Sequence, residues 1–125
     1  MVSHVAVSGT QVEGFLTFFR IVEANPPTLT DFLSHLARGR LPHYRTARAL
    51  RLWDGLSVYR SRDAALAHAG RSPRLGSFIA EMRVPDDGSI QYELDNGPHG
   101  HCTIWGDAAT LRSYVVSVIP IHGVH

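Results

Sequence analysis

Residues 77–107 read SFIAEMRVPDDGSIQYELDNGPHGHCTIWGD, and their reading decides the fold class. SFIAEMRVP (77–85) reads as a strand that stops at Pro85, since proline cannot continue a ladder. DDG follows and carries a strong hairpin signal. SIQYELD (89–95) is the expected hairpin partner, and HCTIW (101–105) a further short strand. Hairpin signals in this half argue against a doubly wound parallel sheet. The same stretch is dense in chemistry. Residues 94–107 hold His99, His101, the chain's single cysteine Cys102, Trp105, Asp95 and Asp107, broken up by Gly97, Gly100 and Gly106.

Working outward, GFLTFFRI (14–21) is compact and aromatic-rich, as a buried strand is. The two prolines of EANPPT end it. Thr28 or Thr30 then caps an expected helix through DFLSHLARG, with Phe32, Leu33 and Leu36 on one face and Gly39 at its end. HYRTARALRLWDG predicts a second helix, with Leu50 and Trp53 inward and Arg45, Arg48 and Arg51 in water. GLSVYRS (55–61) alternates as a strand, placing Ser57 and Tyr59 on one side and Leu56 and Val58 on the other. Ser61 caps a short helix, RDAALAHAG, and Asp107 caps another, AATLRSYV. VVSVIPI closes as a hydrophobic strand. Residues 1–13 show no firm period and read as a loose N-terminal segment or a weak strand, and 14–125 as a single domain. The expected class is α+β: a curved, mostly antiparallel sheet with short helices.

The totals bound the function classes. The chain has 125 residues, 44% hydrophobic and 18% charged, with a net charge of +1. That is enough to bury a core without disulfide or metal, and too weakly charged for disorder. Nucleic acid is not an expected partner, because no broad positive field exists. No apolar run reaches the ~20 residues of a membrane helix, and no basic leader precedes residue 14, so a cytoplasmic protein is expected. All twelve basic residues are arginines. Lysine-based Schiff-base and phosphate-loop chemistry is thereby excluded, while forked donors for phosphate or carboxylate are plentiful.

Four chemistries find little support. His99, His101 and Cys102 suggest a metal cluster, but strand neighbours face apart and further ligands would have to come from His68 or Asp95. No serine nucleophile elbow occurs. Asp86 and Asp87 are explained by the turn. No glycine-rich phosphate loop is present. A split pocket remains. Arg20 is a strand-borne cation in an apolar segment, costly there unless paired or near solvent. Ser57 and Tyr59 share a face of a second strand, and His101 and Thr103 a face of a third. Brought together, they suit a ligand with a phosphate, a ribose and a flat ring.

In this order of parts the chain resembles the ADP-ribosyltransferase-like superfamily. FFRI, with Arg20, is similar to the arginine-bearing first strand of that family. GLSVYRSRDAALAHA, with Ser57 and Tyr59, is similar to its middle strand and helix. The segment from FIAEMRVP to VVSVIPI is similar to the ending of small bacterial proteins grouped near it. The family's glutamate has no counterpart in HCTIW, where His101 or Thr103 stands instead. The resemblance implies a split antiparallel sheet, a nucleotide-like small-molecule partner and NAD as the cofactor. Arg20 would take phosphate, Ser57 and Thr103 ribose hydroxyls, and Tyr59 the ring. His101 and Tyr59 would be the catalytic pair if NAD is cleaved. The runner-up is a non-enzymatic interaction module, using the arginine-studded helix near 45–51 and VVSVIPI as an edge strand for a second chain, including a homo-oligomer.

Overall fold

The structure, a computed structural model, describes residues 11–12, 14–95 and 100–121. Its elements in chain order are β1 (Gln11–Val12), β2 (Phe15–Val22), α1 (Ala47–Trp53), β3 (Leu56–Tyr59), α2 (Arg62–Arg71), β4 (Phe78–Pro85), β5 (Gln91–Leu94), β6 (His101–Trp105), α3 (Ala108–Ser113) and β7 (Val115–Pro120). The class is α+β, as expected. Six strands form an antiparallel sheet in the order β5-β6-β3-β2-β4-β7, and β1 adds beside β2. Two expected helix starts hold. Ser61 Oγ accepts from the Ala64 N–H (3.0 Å), and Asp107 Oδ2 from the Thr110 N–H (3.1 Å). Each satisfies a donor that the first helical turn leaves open.

The expected hairpin does not form. The DDG turn is real: Asp87 accepts from both the Ser89 N–H and hydroxyl, and Gly88 takes φ of 86°. But β4 pairs with β2 and β7, while β5 pairs with β6, three strands removed from β4. Local turn chemistry fixed the bend and left the choice of partner to tertiary packing.

The expected helix over residues 31–39 is also absent. Leu29–Phe32 form one 3₁₀ turn, and Leu33 is already extended. Asp31 explains this. It is 4% exposed, and its carboxylate accepts from the backbone N–H of Glu23 (2.8 Å) and Thr28 (3.0 Å). Its carbonyl, which a helix would give to the backbone four residues on, accepts from Arg20 Nε instead (2.8 Å).

The sheet has a fault between β2 and β3. Along one edge, β2 pairs with β4 over all eight residues from Phe15 to Val22. The other edge is divided. β1 takes Phe15 and Leu16, and β3 meets β2 only at Phe19 opposite Tyr59. The sheet therefore curls there. In a flat sheet β2 and β5 would lie about 14 Å apart, yet the rings of Phe18 and Tyr92 have centroids 5.8 Å apart. The main core fills the curl: Phe18, Val22, Ala80, Met82 and Val84 from one half, Leu56, Val58, Cys102 and Ile104 from the other, plus Phe32 and Leu111. A second cluster, Ile21, Tyr59, Ile79, Ala65 and Ala69, lies under α2. Among the described residues, no helix is long and apolar enough to cross a membrane.

Candidate ligand cleft at the sheet split

Where β3 leaves β2, a cleft of about 600 Å³ opens, and all five residues expected to form the pocket line it: Arg20, Ser57, Tyr59, His101 and Thr103. Arg20 spans the fault. Its Nε donates to the Asp31 carbonyl (2.8 Å) and its Nη1 to the Ser57 carbonyl (2.7 Å), so one guanidinium ties β2, the 3₁₀ turn and β3 together. Its planar fork lets it supply both bonds at once. The Phe32 ring lies 5.9 Å from the guanidinium carbon.

The cleft floor carries excess positive charge. Burial and the nearby Arg38 cation lower the pKa of Arg20 to about 10, against the opposite pull of Asp31 and Tyr59, so it stays charged at neutral pH. Arg38 donates through Nη2 to the Thr30 carbonyl, while its Nε is buried without a hydrogen-bond partner among the described residues. A buried donor left unpaired costs roughly 1–3 kcal/mol. Neither Arg20 nor Arg38 makes an ion pair with a carboxylate among the described residues. Asp31 is close, but its oxygens serve backbone donors. Beside them, His35 stacks on Trp53 with ring centroids 4.0 Å apart and 19° between planes. The His35 pKa is held below the usual imidazole value, first by desolvation and then by Arg40, Arg38 and Arg20. At the mouth, Arg48 pairs with Glu93 at 2.6 Å, joining α1 to β5.

Strand register builds the opposite wall. Ser57 lies opposite Thr103, and Tyr59 opposite His101. The Arg60 N–H donates to the Gly100 carbonyl (2.9 Å). By antiparallel alternation, the Ser57/Thr103 and Tyr59/His101 pairs are then the narrow, non-hydrogen-bonded ones, whose side chains approach closest. On the other edge of β6, the Asp95 N–H donates to the His101 carbonyl (2.9 Å), setting Asp95 against His101. The result is a polar row across three strands. His101 Nε2 lies 3.0 Å from Ser57 Oγ, and His101 Nδ1 lies 3.5 Å from Asp95 Oδ2. Gly55 permits this crowding, because a Cβ there would collide with Thr103 Cγ2 and press on the Trp105 ring.

The stacking role expected of Tyr59 does not fit its burial. It is 4% exposed and packs with Ile21, Ile79, Ala65 and Ala69, so only its rim borders the cleft. Its phenol pKa is raised by burial, against Arg71 and Arg20. The ring packs edge-on to His101 (5.5 Å, 70°) and so fixes the imidazole plane. A flat ligand ring finds a better surface at His35 and Trp53. Thr103 is 6% exposed and Ser57 is exposed, which leaves Ser57 as the accessible hydroxyl.

Cys102 is buried in the main core, and burial pushes its thiol up to about 11, so it is not a ready thiolate. His99, the other half of the metal cluster considered from sequence, lies outside the described residues. Among the described residues, no group of three or more His, Cys, Asp or Glu side chains is placed to hold a metal. Arg38 was expected on a helix and not in the pocket, and Asp95 was expected beside His101 only as a possible metal ligand. The signal for Asp95 was its position at the end of SIQYELD, where antiparallel pairing with HCTIW sets it opposite His101. No protein-family model matches the chain, and neither a curated protein nor a solved structure is found to match it.

Proposed function

We propose that the split cleft binds a nucleotide of the NAD type and that the chain has an ADP-ribosyltransferase-like fold. The observation that carries the reading is the pair of guanidiniums, Arg20 and Arg38, held together at the cleft floor without a carboxylate ion pair among the described residues. A diphosphate between the two guanidiniums relieves their mutual repulsion. Ser57 then faces the ribose, with Thr103 buried behind it, and the His35–Trp53 stack faces a base. His101 is positioned to polarise ribose hydroxyls should the glycosidic bond to nicotinamide be cleaved.

Thermal melting with NAD, ADP-ribose and adenosine tests this. NAD and ADP-ribose raise the melting temperature, and adenosine, which lacks the phosphates, does so less. Ligand at one hundred times its dissociation constant stabilises by about 2.7 kcal/mol. Arg38→Met abolishes the shift. Arg38 is the cleaner probe, because it donates to one backbone carbonyl, that of Thr30, where Arg20 donates to two on separate elements. No shift with any nucleotide overturns the reading. Release of free nicotinamide from NAD separates an NAD-cleaving enzyme from a binding protein.

One observation favours a second reading, an interaction module. β7 is an edge strand, and its Val116 is 52% exposed. Such an edge can accept a strand from another chain. A concentration-dependent dimer that Val116→Lys dissociates would support it, and a monomer at all concentrations would remove it.

A further inference from the structure

We propose that Ser57 is an activated nucleophile, in a Ser57–His101–Asp95 relay that hydrolyses carboxylic esters bearing an anionic group. The relay stands on its own geometry and rests on the proposed anion site only for the choice of ester.

Three adjacent strands supply it: Asp95 follows β5, His101 opens β6, and Ser57 lies in β3. Asp95 Oδ2 lies 3.5 Å from His101 Nδ1, and His101 Nε2 lies 3.0 Å from Ser57 Oγ. A carboxylate on Nδ1 favours the tautomer that carries its proton there, leaving Nε2 to accept the serine proton. Such contacts are commonly looser before substrate binds, which accommodates the longer Asp95 distance. Tyr59 holds the imidazole edge-on, and Ser57 is exposed to the cleft. Arg20, bonded to the Ser57 carbonyl at 2.7 Å, anchors the Ser57 backbone and brings a positive charge to the cleft wall. The triad is recognised by the roles its members play and needs no fixed fold or serine elbow.

The step balances without any further reactant than water. Ser57 Oγ bonds to the ester carbonyl carbon while its proton passes to His101 Nε2. The carbon–oxygen bond to the alcohol then breaks, and the alkoxide leaves with that proton. Water attacks the acyl-serine while His101 Nε2 takes a proton from it; the acyl–Oγ bond then breaks, Oγ takes that proton back from Nε2, and the acid is released with Ser57 and His101 restored. Asp95 stays ionised and stabilises the imidazolium. An anionic group on the acyl portion is held by Arg20 and Arg38, so a succinyl ester is preferred over an acetyl ester.

The test is reaction of the full chain with a fluorophosphonate, followed by peptide mass spectrometry. One adduct forms on Ser57, with loss of fluoride. Ser57→Ala shows no adduct while melting as the unmodified chain does, and His101→Ala slows labelling at least about 100-fold. Asp95→Asn slows it less, and p-nitrophenyl succinate turns over faster than the acetate until Arg38→Met removes the preference. No adduct, an adduct elsewhere, or labelling indifferent to His101→Ala overturns the nucleophile. If nucleotides still raise the melting temperature in that case, the anion site survives without it. Labelling in the absence of any nucleotide shift supports the nucleophile and discards the nucleotide reading.

Discussion

The two halves of the sheet are built for different purposes. In the β2-β4-β7 half, two long strands pair without interruption over eight residues, and Ile79, Ala80, Met82 and Val84 are almost wholly buried. In the β5-β6-β3 half the strands are four or five residues long, and one face carries Asp95, His101, Ser57 and Thr103. Continuous pairing and close packing hold the first half. The second half presents polar groups, because its register sets side chains of three strands in a row. Arg20 is the piece that belongs to both, a side chain of the first half bonded to the backbone of the second. The contrast is that polar side chains gather at the fault in the sheet, which one guanidinium spans.

The largest effect expected of breaking this contrast is in the core. Met82→Ala, at a fully buried position of the long ladder, lowers unfolding free energy by about 2–5 kcal/mol. His101→Ala costs less than about 1 kcal/mol, because it removes a partly exposed group. Urea titration of both checks the pair, and equal losses would erase the distinction between the halves. Arg20→Met comes next. It leaves the carbonyls of Asp31 and Ser57 without their donor and costs about 2–4 kcal/mol. Amide exchange in that variant rises around residues 28–34 and 56–59 more than in β4, and uniform exchange would contradict a local clamp.

The smallest effect is that of pH. His35 and His68 both have pKa values lowered in the folded chain, His35 by desolvation and then Arg40, Arg38 and Arg20, His68 by desolvation and then Arg71 and His101. The unfolded chain therefore binds more protons below the ordinary imidazole pKa of about 6.5. Their contribution is present above that value and is lost as pH falls toward the folded values. Melting temperature drops between pH 7.5 and 5.5, and the double variant His35→Gln, His68→Gln flattens that slope. An unchanged slope would mean other groups govern it.

The sequence made legible what is set by neighbours in the chain. Ser61 and Asp107 were readable as caps because each bonds a backbone donor three residues on. Ser57 with Tyr59, and His101 with Thr103, were readable from strand alternation. What escaped was set across the fold. The DDG bend says nothing of which strand β5 will join. The 31–39 segment has helical spacing, yet Arg20 takes the carbonyl a helix would use. Tyr59 looked like an open plate because alternation gives its face and leaves its cover unstated, and α2 covers it through Ala65 and Ala69. Arg38 reaches the cleft through a turn that no period foretells.

Arg20 and Arg38 are proposed to make the split an anion site. Calorimetric titration with ADP-ribose, on the unmodified chain and on Arg38→Met, tests it most directly. One ligand is expected to bind per chain, with affinity weakened at least about tenfold, or 1.4 kcal/mol, in the variant. Equal binding by both, or no binding by either, would contradict it.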